Sequence, residues 1–354
     1  MRKLISWAAI IMCFSVVLSG CSNSGGNSSS DTKASSGTSS ADAITLKIAH
    51  AGSEQTLMHK SLELVKEQLE DKSDGVFQVD IYPNAQLGNE NELIQAVQEG
   101  DIQMMATNNG YLVNFQAENS VFSVPFAFPS EEIAYTVLDG PFGQKMLDAM
   151  EEGCGLKALG YYESVDFRQL TTNKAIHSVA DLKGIKIRVM PNPIHIAIWE
   201  SLGVIPSAIS FGELYTALQQ KTVDAQENPV ELIYQSKFSE VQDYLILTNH
   251  VFSTGMAVAN PDFFNGLSTE LQDILLDAVT AGSDYWREQA AVNREEYYEK
   301  LEAEGMEIIT LTEEAAEGFK EAVSPAVEEI ADLVGWDLVN ELYAAIDEAV
   351  AQQQ

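Results

Sequence analysis

Positive charge is what this sequence has least of. Lysine and arginine together number 20 against 53 acidic residues, and arginine occurs only at positions 2, 168, 188, 287 and 294. A formal charge of −33 excludes nucleic acid as a partner and a polybasic membrane-surface role. It also repels anionic ligands at long range. Salt screens that field beyond about 8–10 Å, so a local cationic pocket still competes.

Cysteine is nearly as scarce. Cys13 and Cys21 lie near the N-terminus and Cys154 stands alone. An exported chain with one remaining thiol has no internal disulfide, so its stability comes from its cores. The nucleophile elbow, zinc-protease helix, redox cysteine pair, phosphate loop and EF-hand loop are all missing. Histidines 50, 59, 177, 195 and 250 are scattered, which suggests no metal cluster, and no cofactor is expected. Among 53 acids a neighbouring pair is uninformative, so a surface-anchored carbohydrate-active hydrolase stays open as the rival of another class.

What is present begins with "MRKLISWAAIIMCFSVVLSGC": a basic start, an apolar run, and small residues before Cys21. This reads as a secretory signal peptide over 1–20. Its end is similar to the lipobox of bacterial lipoproteins, which implies cleavage before Cys21 and lipid attachment to its thiol. Losing residues 1–20 removes Arg2 and Lys3 and no acid, moving the charge from −33 to −35. Residues 21–43 hold Ser, Gly, Asn, Thr, Asp and Ala with no large apolar side chain, the composition of a flexible tether. An extracytoplasmic domain, lipid-anchored to the cell membrane, is the expectation.

From Ile44 onward strand and helix signals alternate. "ITLKIAH" (44–50) and "VFQVDIYP" (76–83) alternate apolar and polar residues, while Met58, Leu62, Val65 and Leu69 repeat at helical spacing. "DIQMMAT" (101–107) reads as a short buried strand, a helix is expected near 131–150, and "LKALGYYES" (156–164) reads as another strand. The βαβαβ order argues an α/β sheet covered by helices, and 166–260 repeats the alternation. Residues 268–303 read as one helix, too long for an ordinary layer and suited to crossing between two lobes. "GIKIRVMPNP" (184–193) is a strand ended by prolines, with Arg188 among apolar neighbours. By its chemistry alone, Arg188 is a candidate anion site.

Four stretches sharpen this. "FRQLTTNKAIHSVADLKGIKIRV" (167–189), "GVIPSAISFGELYTALQQKTVDAQENP" (203–229), "KFSEVQDYLILTNH" (237–250) and "YPNAQLGNENELIQAVQEGDIQM" (82–104) strongly resemble the DctP family. These are the solute receptors of tripartite ATP-independent periplasmic (TRAP) transporters. The resemblance covers essentially all of 44–350. It implies a two-lobed α/β clamp of the periplasmic-binding-protein type, with the long helix spanning both lobes. Lobe I would take 44–165 and 254–293, lobe II 166–253 and 294–354.

The resemblance also assigns roles. Arg188 matches the arginine that forms a two-pronged salt bridge with a substrate carboxylate, a task suited to a planar guanidinium. Arg168 matches a second arginine close to that carboxylate. Asn228 matches an asparagine that hydrogen-bonds it, and Phe211 an aromatic that packs on the ligand. Lobe I should supply selectivity through strand-end residues facing the cleft: His50, Glu90, Asn108, Asn109 and Glu163. Asn192 is added from just beyond the Arg188 strand. The 44–165 stretch of lobe I holds no arginine, which favours a sugar acid such as a uronate or aldonate over a C4-dicarboxylate or keto acid. The implied partners are a small organic acid and the TRAP membrane subunits; the implied protein is a monomer and no enzyme. A receptor for an ATP-driven importer is the nearer rival.

Overall fold

The computed structural model describes residues 43–162 and 166–353. Eleven strands form two sheets. The first contains β1 (Ile44–Ala49), β2 (Phe77–Tyr82), β3 (Met104–Asn108), β4 (Lys157–Tyr161) and β10 (Gly255–Ala259), in the order β2-β1-β3-β10-β4. The second contains β5 (Arg168–Thr172), β6 (Lys186–Val189), β7 (Ile205–Ala208), β8 (Ala225–Pro229), β9 (Tyr244–Leu247) and β11 (Glu307–Thr310), in the order β11-β9-β5-β8-β6-β7. The expected βαβαβ start is present: β1 runs parallel to both β2 and β3. β10 enters the first sheet antiparallel, between β3 and β4.

The chain therefore crosses between sheets three times: from β4 to β5, from β9 to β10, and from β10 to β11 through the helix Thr269–Ala303. That helix has 35 residues, about 50 Å at 1.5 Å per residue. Its first half packs Leu275, Ala278, Val279 and Trp286 against Leu62, Val65 and Tyr162 in the first lobe's core. Its last turns place Tyr297 and Leu301 beside Leu214 and Leu245 in the second. Gly282 allows the closest approach: a Cβ there would lie 2.6 Å from Val65 Cγ2 and 2.7 Å from the Tyr162 hydroxyl.

The sequence suggested one helix near 131–150, but two form, Glu131–Leu138 and Pro141–Cys154. Proline lacks an N–H and is tolerated in a first turn but not in a helix interior, so Pro141 starts a helix of its own. The C-terminal helices were expected with the second lobe. Ser324–Val334 packs on the second-lobe helix Pro193–Ser201 and also on the first-lobe turn Ala117–Ser123, and Trp336–Gln353 lies against the Glu131–Leu138 and Pro141–Cys154 helices. Their apolar faces join a core that includes Val121 and Ile133 from one lobe and Ile198 and Trp199 from the other.

Polar contacts tie the crossings down. Arg294 of the long helix donates to Glu131 at 2.5 Å and to Asp166, on the β4–β5 crossing, at 3.3 Å. Glu231, in the second-lobe helix Val230–Gln235, accepts from Trp286 Nε1 at 3.0 Å. It also accepts at 3.2 Å from the backbone N–H of Leu57, the first residue of the first-lobe helix Leu57–Lys72.

Candidate functional site: a cavity between the lobes

A cavity lies where both sheets present the carboxyl ends of strands. Ala51 and Gly52 follow β1, Thr107 and Asn108 end β3, Met190 follows β6, and Asn228 is the last residue but one of β8. Strand ends of α/β sheets are where ligands bind, because the loops diverge there and backbone groups are left free. The space open to the centre of a water-sized sphere is about 40 Å³, room for a few waters. Apolar walls come from Met58, Met190, Phe211 and Leu232. Gly110 lets Met190 close in from the opposite lobe, since a Cβ at 110 would stand 2.6 Å from its terminal methyl carbon.

Arg188 lines this cavity and is 0% exposed. β6 pairs on one side with β7, opposite Ser207, and on the other with β8, opposite Gln226, so its backbone is held between two neighbouring strands. Its Nε donates to the Ile209 carbonyl at 2.8 Å, and its Nη2 lies 3.4 Å from the Tyr111 hydroxyl, a long contact. Its Nη1 is buried with no hydrogen-bond partner, and among the described residues no carboxylate lies within ion-pair distance of the guanidinium. Glu90 acts on this charge only across the cavity, and a buried charge with no carboxylate in contact is costly, so an entering carboxylate lowers that cost while matching the guanidinium fork with both oxygens.

Arg168 is the opposite case. It lies at the start of β5, antiparallel to β8, which brings Glu227 diagonally beside it on the same face. Its Nε donates to Glu227 Oε2. Its Nη2 donates to Glu227 Oε1 at 3.0 Å, to the Glu227 carbonyl at 2.6 Å and to Asn228 Oδ1 at 2.9 Å, while Nη1 reaches Ser253 Oγ at 3.3 Å. Glu227 also lies 3.1 Å from His250 Nε2 and 3.5 Å from His195 Nδ1. Burial pushes the Glu227 carboxyl up, but the Arg168 charge and the histidine hydrogen bonds outweigh it and hold it well below the usual carboxylate range. Burial lowers His195. Arg168 therefore reaches the cavity with its charge already balanced, whereas the charge of Arg188 is not.

Asn228 is held rigidly, accepting from Arg168 and donating to Gln226 Oε1 at 2.6 Å. Gln226 in turn donates to Thr171 Oγ1 at 2.9 Å, so the polar residues of buried β8 satisfy one another. From the first lobe, Asn108 Nδ2 donates to Ser253 Oγ at 2.9 Å. Glu90 opens the helix Glu90–Glu99, capped by Asn89. Burial pushes its carboxyl up. Hydrogen bonds from its own backbone N–H, from the Tyr111 hydroxyl and from the Phe211 backbone N–H act against burial, as does the Arg188 charge.

Of the residues singled out from sequence, the cavity brings together Arg188, Arg168, Asn228, Phe211, Glu90 and Asn108. His50, Asn109 and Asn192 are buried nearby without lining it. His50 lies 3.1 Å from His59 Nδ1 through Nε2, and burial, then the His59 charge, pushes it down to about 3. Asn109 donates to Thr254 Oγ1 at 2.6 Å. Asn192 caps the Pro193–Ser201 helix, accepting from Ile194 N at 2.7 Å. Glu163 and Cys21 lie outside the described residues. Reading the sequence missed Met58, taken as helix core, and Glu227. The "QENP" stretch that pointed to Asn228 held Glu227 too, but nothing in it says which arginine it neutralises.

Two lobes closed over a buried, unbalanced guanidinium define a solute receptor of the periplasmic clamp class. The chain belongs to the family "Bacterial extracellular solute-binding protein, family 7" (DctP), whose model matches residues 48–332. It is 33% identical over 274 residues to the 2,3-diketo-L-gulonate-binding periplasmic protein YiaO of Escherichia coli, covering 77% of this chain and 83% of that one. The sugar acid binding protein DctPAm of Advenella mimigardefordensis, solved with galactonate, superposes with a TM-score of 0.84 at 31% identity, covering 87% and 99%. A more distant relative is the C4-dicarboxylate-binding periplasmic protein DctP of Rhodobacter capsulatus, 27% identical over 310 residues, covering 87% and 92%. This chain is thus a TRAP-type solute receptor with the two-lobed clamp fold that the resemblance implied.

Proposed function

We propose that this receptor captures a sugar acid, an aldonate or uronate, by a salt bridge between the ligand carboxylate and Arg188, and delivers it to a TRAP permease. The observation that carries the reading is the buried Arg188 guanidinium on the cavity wall, with Nη1 unpartnered. Asn228 and Arg168 stand beside it to hydrogen-bond the same carboxylate, Phe211 packs on the carbon chain, and Glu90 and Asn108 are placed to bind hydroxyls. The sugar-acid relatives named above support the substrate class.

Closure of the lobes buries the ligand and presents a joint surface to the permease. The protein is a non-catalytic monomer in this reading. It is held extracytoplasmically by a lipid on Cys21, with 21–43 as the tether between anchor and clamp. Replacing Cys21 with serine should release it from membranes into the soluble fraction. Retention of that variant in the membrane would reject the anchor.

The deciding experiment is a thermal-melting screen of the purified protein against uronates, aldonates, dicarboxylates, keto acids and matching neutral sugars. Sugar acids should raise the melting temperature and neutral sugars should not. A larger shift from C4-dicarboxylates would overturn the substrate class. Turnover of a sugar polymer or ester with no ligand-dependent shift would overturn the receptor reading itself.

A further inference from the structure

The cavity's charges do not favour every organic acid equally. Of the described residues that line it, only Arg168, Arg188 and Glu90 carry full charges in their ionised forms. Arg168 is balanced by Glu227 behind it, which leaves Arg188 alone to meet an anion. Glu90 faces it from the other lobe. The Tyr111 hydroxyl, 3.4 Å from Arg188 Nη2, lines the same small cavity, so a ligand carboxylate seated on Arg188 shares that cavity with the Glu90 carboxyl.

Burial raises the Glu90 carboxyl, while the Arg188 charge and its place at a helix start favour the ionised form. It occupies the first position of a ten-residue helix, where the free N–H groups and the helix dipole favour negative charge. Beside the neutral Tyr111 hydroxyl and the backbone N–H of Phe211, the charge that acts on it is that of Arg188 across the cavity. A ligand hydroxyl arriving here donates to Glu90 and is welcome. A second ligand carboxylate has no proton to donate, finds no second free cation, and meets a like charge in a place from which water is excluded.

We propose that Glu90 restricts this cavity to acids carrying a single carboxylate, acting as a fixed negative charge opposite Arg188 that rejects dicarboxylates of the same chain length. This rests on the sugar-acid reading and adds to it the residue that discriminates.

The test uses pairs that differ only at the end remote from the first carboxylate: galactonate against galactarate, and erythronate against meso-tartrate. Calorimetric titration of the wild-type protein should give at least a hundredfold preference for the monocarboxylate of a pair. Glu90→Gln should reduce that preference tenfold or more, equivalent to 1.4 kcal/mol, and Glu90→Asp, which keeps the charge, should retain most of it. If Glu90→Gln does not fold, Glu90→Ala removes the same charge and carries the comparison. Wild-type binding of both members of a pair within threefold overturns the proposal, as does a preference unchanged in the neutral variants. Binding of monocarboxylates with no change in preference leaves the sugar-acid reading standing and removes only the role of Glu90. Failure of all four acids to bind removes both.

Discussion

Arg168 and Glu227 are joined through two nitrogens and two oxygens across β5 and β8, with the Nη2–Oε1 contact at 3.0 Å and the side chains 2% and 0% exposed. Arg188, on the neighbouring β6, is as deeply buried and has no such partner among the described residues. Two arginines of one cavity thus differ in what their removal does.

Arg188→Ala should abolish organic-acid binding, lowering affinity a hundredfold or more, while the unliganded protein keeps its melting temperature to within a few degrees. Arg188→Lys should recover little, because an ammonium cannot present the planar fork. The check is titration with the best acid from the melting screen. Near-native affinity in Arg188→Ala would sink the proposed clamp.

Glu227→Gln should act on stability before it acts on binding. It strands the Arg168 guanidinium without its counter-charge, and breaking a buried pair from one side costs about 3–5 kcal/mol. Chemical denaturation should show that loss in the absence of any ligand. An unfolding free energy unchanged by this substitution would mean that the pair is not a structural element.

The pH dependence follows from Glu231, which burial pushes up to about 7. A carboxyl whose folded pKa is raised above the unfolded value of about 4.5 binds protons more tightly when folded. Its contribution to stability is therefore fully present below about pH 4.5 and is lost as pH rises through about 7. Glu131 is likewise pushed up to about 7, by burial first and then by Asp166, and contributes in the same direction. Glu231→Gln keeps an acceptor for only one of Trp286 and Leu57, a cost that does not vary with pH, and removes one of the two contributions. The melting temperature of the variant relative to wild type should therefore rise between pH 5 and pH 8, by roughly 2 °C or more. A difference independent of pH would contradict this account.

Gly282→Ala should loosen the long helix from the first lobe. The added methyl meets Val65 and the Tyr162 hydroxyl inside contact distance, and overpacking of this kind typically costs about 1–3 kcal/mol. Denaturant titration measures it, and a neutral result would show that the Leu57–Lys72 helix shifts freely to accommodate the methyl.

How much of this was legible in the residues varies from one element to the next. The strand through Arg188 and the helix over 268–303 stood out because alternation and helical periodicity are local, and β6 and Thr269–Ala303 follow them closely. Asn192 and Asn109 looked like cleft residues by position, yet one caps a helix and the other bonds Thr254, because short amides satisfy nearby backbone or hydroxyl groups as readily as ligands. Met58 reads identically in sequence whether its side chain faces a core or a cavity.

The sequence by itself determined the alternation of strands and helices, the scarcity of cations and the family, since each is a property of residues taken in order. Only the tertiary structure decided which arginine is free. Glu227 lies 59 residues from Arg168 and 39 from Arg188, and nothing in that spacing says which of the two it will neutralise. The pairing of β5 antiparallel to β8 brings Glu227 beside Arg168. Parallel β6 leaves Arg188 with an unpartnered nitrogen on the cavity wall. Charge balance in a buried site depends on distances across strands, and those distances are fixed only when the sheet forms.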